Sequence, residues 1–180
     1  MIKYLLFFSF IFLAKPEMSS NTNDEIFTIY LIRHAEKDLN SQNSLDPELT
    51  ACGIKRAESI RLFFDSISLD KVYSTNYIRT KNTAKPTANS KNLEITPYDS
   101  EKLEDFAKTL INNKENALVV GHSNTTAALA GLLVGEKLRD LDLDVYNQIY
   151  QVVICRNSFK LQLFHTAIEC SEKVFGLSQF

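Results

Sequence analysis

Ala117-Leu118-Val119-Val120 has apolar side chains at both parities, so a strand built from it has no face suited to water. Such a strand belongs inside a sheet covered on both sides, the usual setting of parallel strands linked by helices. Ile26, Phe27, Ile29, Leu31 and Ile32 mark a second buried strand, Val72-Tyr73 a brief third, and Leu93 to Thr96 a fourth. Helical patterns lie between them. Thr50 is placed to cap a helix in which Ile54, Ala57, Ile60, Phe64 and Ile67 recur at helical spacing, with Arg56, Glu58 and Arg61 on the water side. Ser74-Thr75-Asn76 opens a second helical stretch that the pattern ends near Pro86. A third helix buries Leu103, Phe106, Ala107, Leu110 and Ile111 and stops at Asn112-Asn113. Thr125 to Leu133 reads as a buried helix, and Gln148–Cys155 with Ser158–Phe164 as two strands about a turn at Arg156-Asn157. Strands alternating with helices give an α/β fold: a three-layer sandwich with a mostly parallel central sheet, edged by the closing antiparallel hairpin.

At 180 residues, with 44% hydrophobic and 23% charged residues, the chain suits one globular domain. A net charge of -2 gives no reason to expect nucleic acid as a partner. Residues 1–20 differ in kind. Lys3 precedes an apolar run from Tyr4 to Ala14 that Lys15-Pro16 ends, the pattern of a signal peptide or an uncleaved N-terminal anchor. The run falls short of the roughly 18 apolar residues a spanning helix needs. Residues 21–25 read as a tether, and 26–180 as the folded domain. Export would permit one disulfide among Cys52, Cys155 and Cys170, with Cys155–Cys170 the more natural pair because both lie in the last segment; three unpaired, hydrophobic thiols are an equally good reading. Their spacing fits no zinc site.

Three polar clusters share one topological position, just past a strand end: Arg33-His34, the Ser74 to Arg79 turn, and His122. Parallel strands carry such positions to the same sheet edge, where ligands of open α/β sheets bind. Two guanidiniums and two imidazoles converging there suit a phosphoryl group, since Arg forks pair with its oxygens and His can donate to it or attack it.

Leu31-Ile32-Arg33-His34-Ala35 resembles the Arg-His-Gly signature of the histidine phosphatase superfamily, the phosphoglycerate mutase-like family, with Ala35 where Gly is commonest. Leu49-Thr50 with Gly53 and Arg56-Ala57 resembles its first helix. Ser74 with Arg79, Thr83 and Ala84 is similar to its second-arginine segment, and Val119-Val120-Gly121-His122-Ser123 to its second-histidine segment. The resemblance runs in order from about Ile26 to Phe164. It implies a small phosphatase with a phosphoglycerate mutase-like fold, in which His34 attacks phosphorus and becomes a phosphohistidine. Arg33, Arg79 and His122 would hold the phosphoryl oxygens, without a metal or other cofactor. The family also uses a carboxyl as general acid. Asp99, in the turn after the strand expected at Leu93 to Thr96, is favoured, with Glu101 and Glu104 as alternatives and Glu36 and Asp38 as outside candidates; a helix cap is the competing role for Asp99.

The expected partner is a small phosphorylated substrate, with membrane contact only through an uncleaved N-terminal segment. Lys37 and Asn40 are as well explained by a solvated loop as by substrate contact, and His165 reads as structural or exposed. Two rival functions remain. Gly121-His122-Ser123-Asn124-Thr125 resembles a nucleophile elbow and would make Ser123 a serine-hydrolase nucleophile. However, Thr125 replaces its final Gly, and Arg33-His34 goes unexplained. A phosphate-binding module on an inactive fold is the other. Protein phosphohistidine is the alternative substrate.

Overall fold

The computed structural model describes residues 26–168; the leader, the tether and Cys170 lie outside the described residues. In chain order the elements are β1 (Ile26–Arg33), α1 (Ala51–Phe63), β2 (Lys71–Ser74), α2 (Ile78–Ser90), β3 (Ile95–Pro97), α3 (Leu103–Asn113), β4 (Ala117–Gly121), α4 (Ser123–Val134), β5 (Gln148–Cys155) and β6 (Ser158–His165). They form a six-stranded sheet of order β3-β2-β4-β1-β5-β6. The first four of these strands run parallel, and β5 and β6 add an antiparallel edge. This is the mixed three-layer α/β architecture expected from the alternation of elements.

Strand parity divides the core in two. Ile29 and Leu31 of β1 and Val119 of β4 point to the layer holding Phe106, Leu110 and Leu129 of α3 and α4. Tyr30 and Ile32 of β1 and Leu118 and Val120 of β4 meet Ile60, Phe64 and Ala84 on the opposite face. Both parities of β4 are buried, so its uninterrupted apolar run is a packing requirement.

Helix α1 buries Ala57, Ile60 and, at its C-cap, Phe64 as expected, but departs at two positions. Ile54 is 62% exposed, whereas Arg56 is only 4% exposed. The cause is Glu36. Arg56 Nε donates to both Glu36 carboxylate oxygens at 2.9 Å, and Nη2 donates to Oε1 at 2.6 Å. A bidentate ion pair therefore takes an inward position that periodicity alone assigns to a hydrophobe. The pair also occupies Glu36, one of the outside candidates for the acid. The same segment fixes the start of α1. Thr50 N–H donates to Glu36 O at 2.9 Å, and Thr50 Oγ1 accepts from Gly53 N–H at 3.0 Å.

Other boundaries shift for physical reasons. α2 runs through Pro86 to Ser90, because Thr87 and Ala88 extend the buried stripe of Thr83 and Ala84. Burial there outweighs the lost hydrogen bond. The strand expected at Leu93 to Thr96 pairs from Ile95, in parallel with Val72. Cys155 is a free thiol and Cys52 is disulfide-bonded, so the expected Cys155–Cys170 bridge is not the one made.

A Cβ on Gly53 would lie 2.3 Å from Glu36 O, a backbone atom that cannot swing aside. Gly53→Ala is expected to destabilise by about 1–3 kcal/mol, lowering the thermal midpoint by roughly 3–10 °C. Ile54→Ala, at the exposed neighbour, should move it by less than about 2 °C. Differential scanning fluorimetry of the two variants checks the contrast; equal midpoints would contradict the packing account.

Candidate active site

Four parallel strands end at one edge, and the first residues past β1 and β4, His34 and His122, line the same cleft. β1 pairs with β4 so that Arg33 lies opposite Gly121, and the ladder runs one residue further, His34 N–H donating to Gly121 O at 2.9 Å. Beyond β2, Thr75 N–H donates to Val120 O at 3.4 Å. Arg33, His34, Arg79, Glu101, His122 and Ser123 thereby line one open cleft of about 430 Å³. Thus the structure brings together all four side chains predicted to hold the phosphoryl group.

His34 is 4% exposed, and its Nδ1 lies 2.8 Å from Ala35 O. A carbonyl only accepts, so Nδ1 carries the proton and Nε2 keeps a lone pair. Burial, followed by the positive charges of Arg33 and Arg79 and the neighbouring His122, pushes the His34 pKa down to about 3 against the opposing carbonyl bond. The ring is neutral at physiological pH. His122 stands with its ring centroid 5.5 Å from that of His34. Burial, then Arg79 and Arg33, hold its pKa at about 4.

Hydroxyls set the orientation of His122. Its Nε2 lies 3.0 Å from Thr75 Oγ1. Thr80 Oγ1 donates to the Thr75 and Tyr77 carbonyls, leaving Thr75 Oγ1 to donate to Thr80 Oγ1 at 2.9 Å. Thr75 therefore receives the Nε2 proton of neutral His122, which fixes that tautomer.

The two guanidiniums are held differently. Arg33 Nη1 donates to the carbonyls of Asp142, Leu143 and Val145 at 3.1, 2.9 and 3.0 Å, and its guanidinium carbon sits 4.1 Å from the Tyr146 ring centroid. Arg79 lies 4.3 Å over Tyr77, and its Nη1 meets Asp46 Oδ1 at 3.3 Å. In both, Nε is buried without a partner among the described residues. Two buried cationic donors without acceptors are what an anion would satisfy.

The favoured acid does not fit its expected place. Asp99 lies outside the cleft wall; its carboxylate accepts from Glu101 N–H at 2.9 Å and faces Lys102 Nζ at 3.7 Å. Nor is Asp99 the helix cap that was its competing role: Lys102 is the N-cap of α3, and Asp99 closes the turn before it. Glu101, the alternative, lines the cleft, whereas Glu104 lies in a separate groove beside α4. Asp38 accepts from Asn40 N–H in its own loop. Lys37 lines the cleft, Asn40 is exposed, and His165 is exposed on β6, two strands from β1. Sequence reasoning missed Asp46, Thr75, Tyr77 and Tyr146, whose contacts join segments remote in the chain. The sequence signal at Asp46 was only that of a turn before Pro47.

A mixed α/β protein with two histidines and two arginines gathered in one cleft is the class these features define. Residues 29–106 match the sequence model of the histidine phosphatase superfamily (branch 1). That is the family expected from the Arg33-His34 and Arg79 segments; His122 lies beyond the matched residues, and the fold places it beside His34. Phosphoserine phosphatase 1 of Hydrogenobacter thermophilus is 37% identical over 75 residues, a match covering 39% of this chain and 36% of that protein. The alpha-ribazole phosphatase of Shigella flexneri superposes with a TM-score of 0.65 at 17% identity, covering 77% of this chain and 96% of its own. The protein histidine phosphatase SixA, complexed with tungstate, gives a TM-score of 0.63 at 14% identity, covering 78% and 97%. The fold is the phosphoglycerate mutase-like one.

The buried neutral His34 makes stability depend on pH. Its folded pKa lies below the ordinary 6.5, so both states are neutral above that value and only the unfolded state gains a proton as pH falls towards 3. Between pH 7 and 5 this removes about 2 kcal/mol of stability. Urea unfolding in phosphate-free buffer should show that loss, reduced by about the same amount in His34→Gln; an unchanged pH slope in the variant would contradict a neutral His34.

Proposed function

We propose that this protein is a phosphatase that hydrolyses phosphomonoesters through a phosphohistidine on His34. One observation carries the reading: the proton of His34 is committed to Ala35 O, leaving Nε2 unprotonated beside Arg33, Arg79 and His122 in one cleft. The Nε2 lone pair attacks phosphorus and the P–O bond to the leaving group breaks, its oxygen taking a proton from the Glu101 carboxyl. Water then attacks the phosphohistidine. Glu101 takes up its proton, the P–N bond breaks, and phosphate leaves with His34 restored. Both guanidiniums, each with an Nε lacking a partner, stabilise the transferring group; positioning and charge carry most of phosphoryl-transfer catalysis. Among the described residues no group of three or more His, Cys, Asp or Glu side chains is placed to hold a metal ion.

Small phosphomonoesters are the proposed substrates, and phosphoserine is the first to assay because the relative named for it is 37% identical over the shared segment. Protein phosphohistidine is the second reading. Tyr77 and the 76%-exposed Leu143 on the cleft rim offer apolar surface to a protein, and a P–N bond relaxes the demand on the acid. Export is proposed from the charged and apolar leader pattern, and the disulfide-bonded state of Cys52 supports an oxidising compartment. Export favours the small-molecule reading, because protein phosphohistidine fits poorly outside the cytoplasm.

Incubation with labelled phosphomonoester followed by an alkaline quench should trap an acid-labile phosphoenzyme in the parent and none in His34→Ala. A phosphoenzyme that survives that substitution would sink the mechanism, and abolition of turnover by Ser123→Ala would instead favour a serine hydrolase. Glu101→Gln should lower kcat at least about 100-fold for an alkyl phosphate and less than about 10-fold for p-nitrophenyl phosphate, whose leaving group needs little protonation. Equal losses on the two substrates would remove Glu101 as the acid.

A further inference from the structure

Helix α2 carries Arg79 in its first turn, yet its N-cap Tyr77 makes no side-chain cap bond. The missing acceptor comes from 32 positions earlier in the chain. Asp46, in the loop between β1 and α1, accepts the Ile78 N–H with Oδ1 at 2.8 Å and Oδ2 at 3.0 Å, and the same Oδ1 meets Arg79 Nη1 at 3.3 Å. The loop is braced on both sides of this contact: Asp38 N–H donates to Glu48 O at 2.8 Å, and Glu48 Oε2 accepts from Asn82 Nδ2 at 2.7 Å. One carboxylate thus fixes the start of the helix and one corner of the guanidinium that the helix delivers.

We propose that Asp46 is the positioning residue for Arg79, holding its guanidinium over Tyr77 at the wall of the cleft that takes the phosphoryl group. The inference rests on the phosphatase reading of the site. Asp46 takes one Nη1 contact, and the planar fork stacked at 4.3 Å on Tyr77 then has a fixed orientation with its buried Nε unspent. A cap alone would not need the charge, because Asn caps a helix about as well as Asp. Holding a guanidinium does use it, since a charged acceptor bonds more strongly than a neutral one. The carboxylate has an opposing effect as well. It is a negative charge near a site for anions, and it also acts on His122. Replacing it by a neutral cap should therefore loosen Arg79 during the reaction while easing anion binding in the ground state. A purely structural residue would not split kcat from KM in this way.

The test compares Asp46→Asn, Asp46→Ser, Arg79→Ala and the Asp46→Asn/Arg79→Ala double variant with the parent. Asn and Ser both retain a cap acceptor, and kinetics are read on whichever melts closer to the parent. The expected result is a kcat at least about 5-fold lower with KM unchanged or reduced, and inhibition by inorganic phosphate at equal or lower concentration. In the Arg79→Ala background the same substitution should change kcat by less than about twofold, because non-additivity marks residues that act through one another. A kcat within twofold of the parent, or a full further loss in the Arg79→Ala background, overturns the proposal. Should the parent show no turnover, the phosphatase reading fails by itself. Calorimetric titration with inorganic phosphate then decides on Asp46: the effect of its substitution on affinity should differ at least threefold between the parent and the Arg79→Ala background, and equal effects in the two overturn the role.

Discussion

Parallel pairing of β1 with β4 is the constraint on which the cleft depends. Register sets Arg33 beside Gly121, and the bond from His34 N–H to Gly121 O carries the ladder one residue beyond the strand. A one-residue slip would turn His34 into the opposite layer and separate it from His122. Gly121 is part of the same constraint. A Cβ there would come within 2.7 Å of the Tyr98 hydroxyl and 2.8 Å of Thr125 Oγ1, the atom that accepts the His122 N–H. The glycine lets β4 end against these groups, and His122 starts its helix in a fixed direction.

Burying this much positive potential is unfavourable unless something compensates, and the protein uses two different means. Arg33 is 4% exposed and is matched by three backbone carbonyls from the loop before β5, which supply dipoles without cancelling its charge. Arg79 is matched by a carboxylate. The histidines add no charge, because burial first and the guanidiniums next hold both neutral. In the proposed phosphatase, a bound phosphoryl anion offsets the guanidinium charges and favours a proton on His122 just where negative charge gathers.

Much of this was legible in the sequence, and the failures are specific. The apolar runs located β1, β4 and the parallel core, and the polar residues after them located Arg33, His34 and His122, because strand parity and strand ends are local properties. Arg56 and Ile54 were exchanged between inside and outside, since periodicity counts hydrophobes and cannot see that Glu36 waits beneath the helix with an ion pair. The placement of Asp99 and Glu101 relative to the cleft escapes the sequence for a related reason. Two carboxylates two residues apart are equivalent by composition, and only the turn decides that one caps its neighbour while the other faces the cleft. Pro86 misled because a local rule was outweighed by tertiary burial.

The residues that escaped notice share a geometry: each acts across a long stretch of chain. Asp46 reaches Arg79, Thr75 reaches His122, and the carbonyls near Val145 reach Arg33 across more than a hundred residues. This follows from how such a site must be built. Groups at strand ends are brought together by the sheet, yet the sheet sets only backbone positions to within a side chain's reach. Placing a guanidinium or an imidazole to the fraction of an ångström that phosphoryl transfer requires needs acceptors outside its own element. Those acceptors come from loops, where one Asp or one Thr looks like any other turn residue. The groups that perform the proposed reaction are therefore visible at the ends of sequence patterns, whereas the groups that aim them become visible only once the chain has folded.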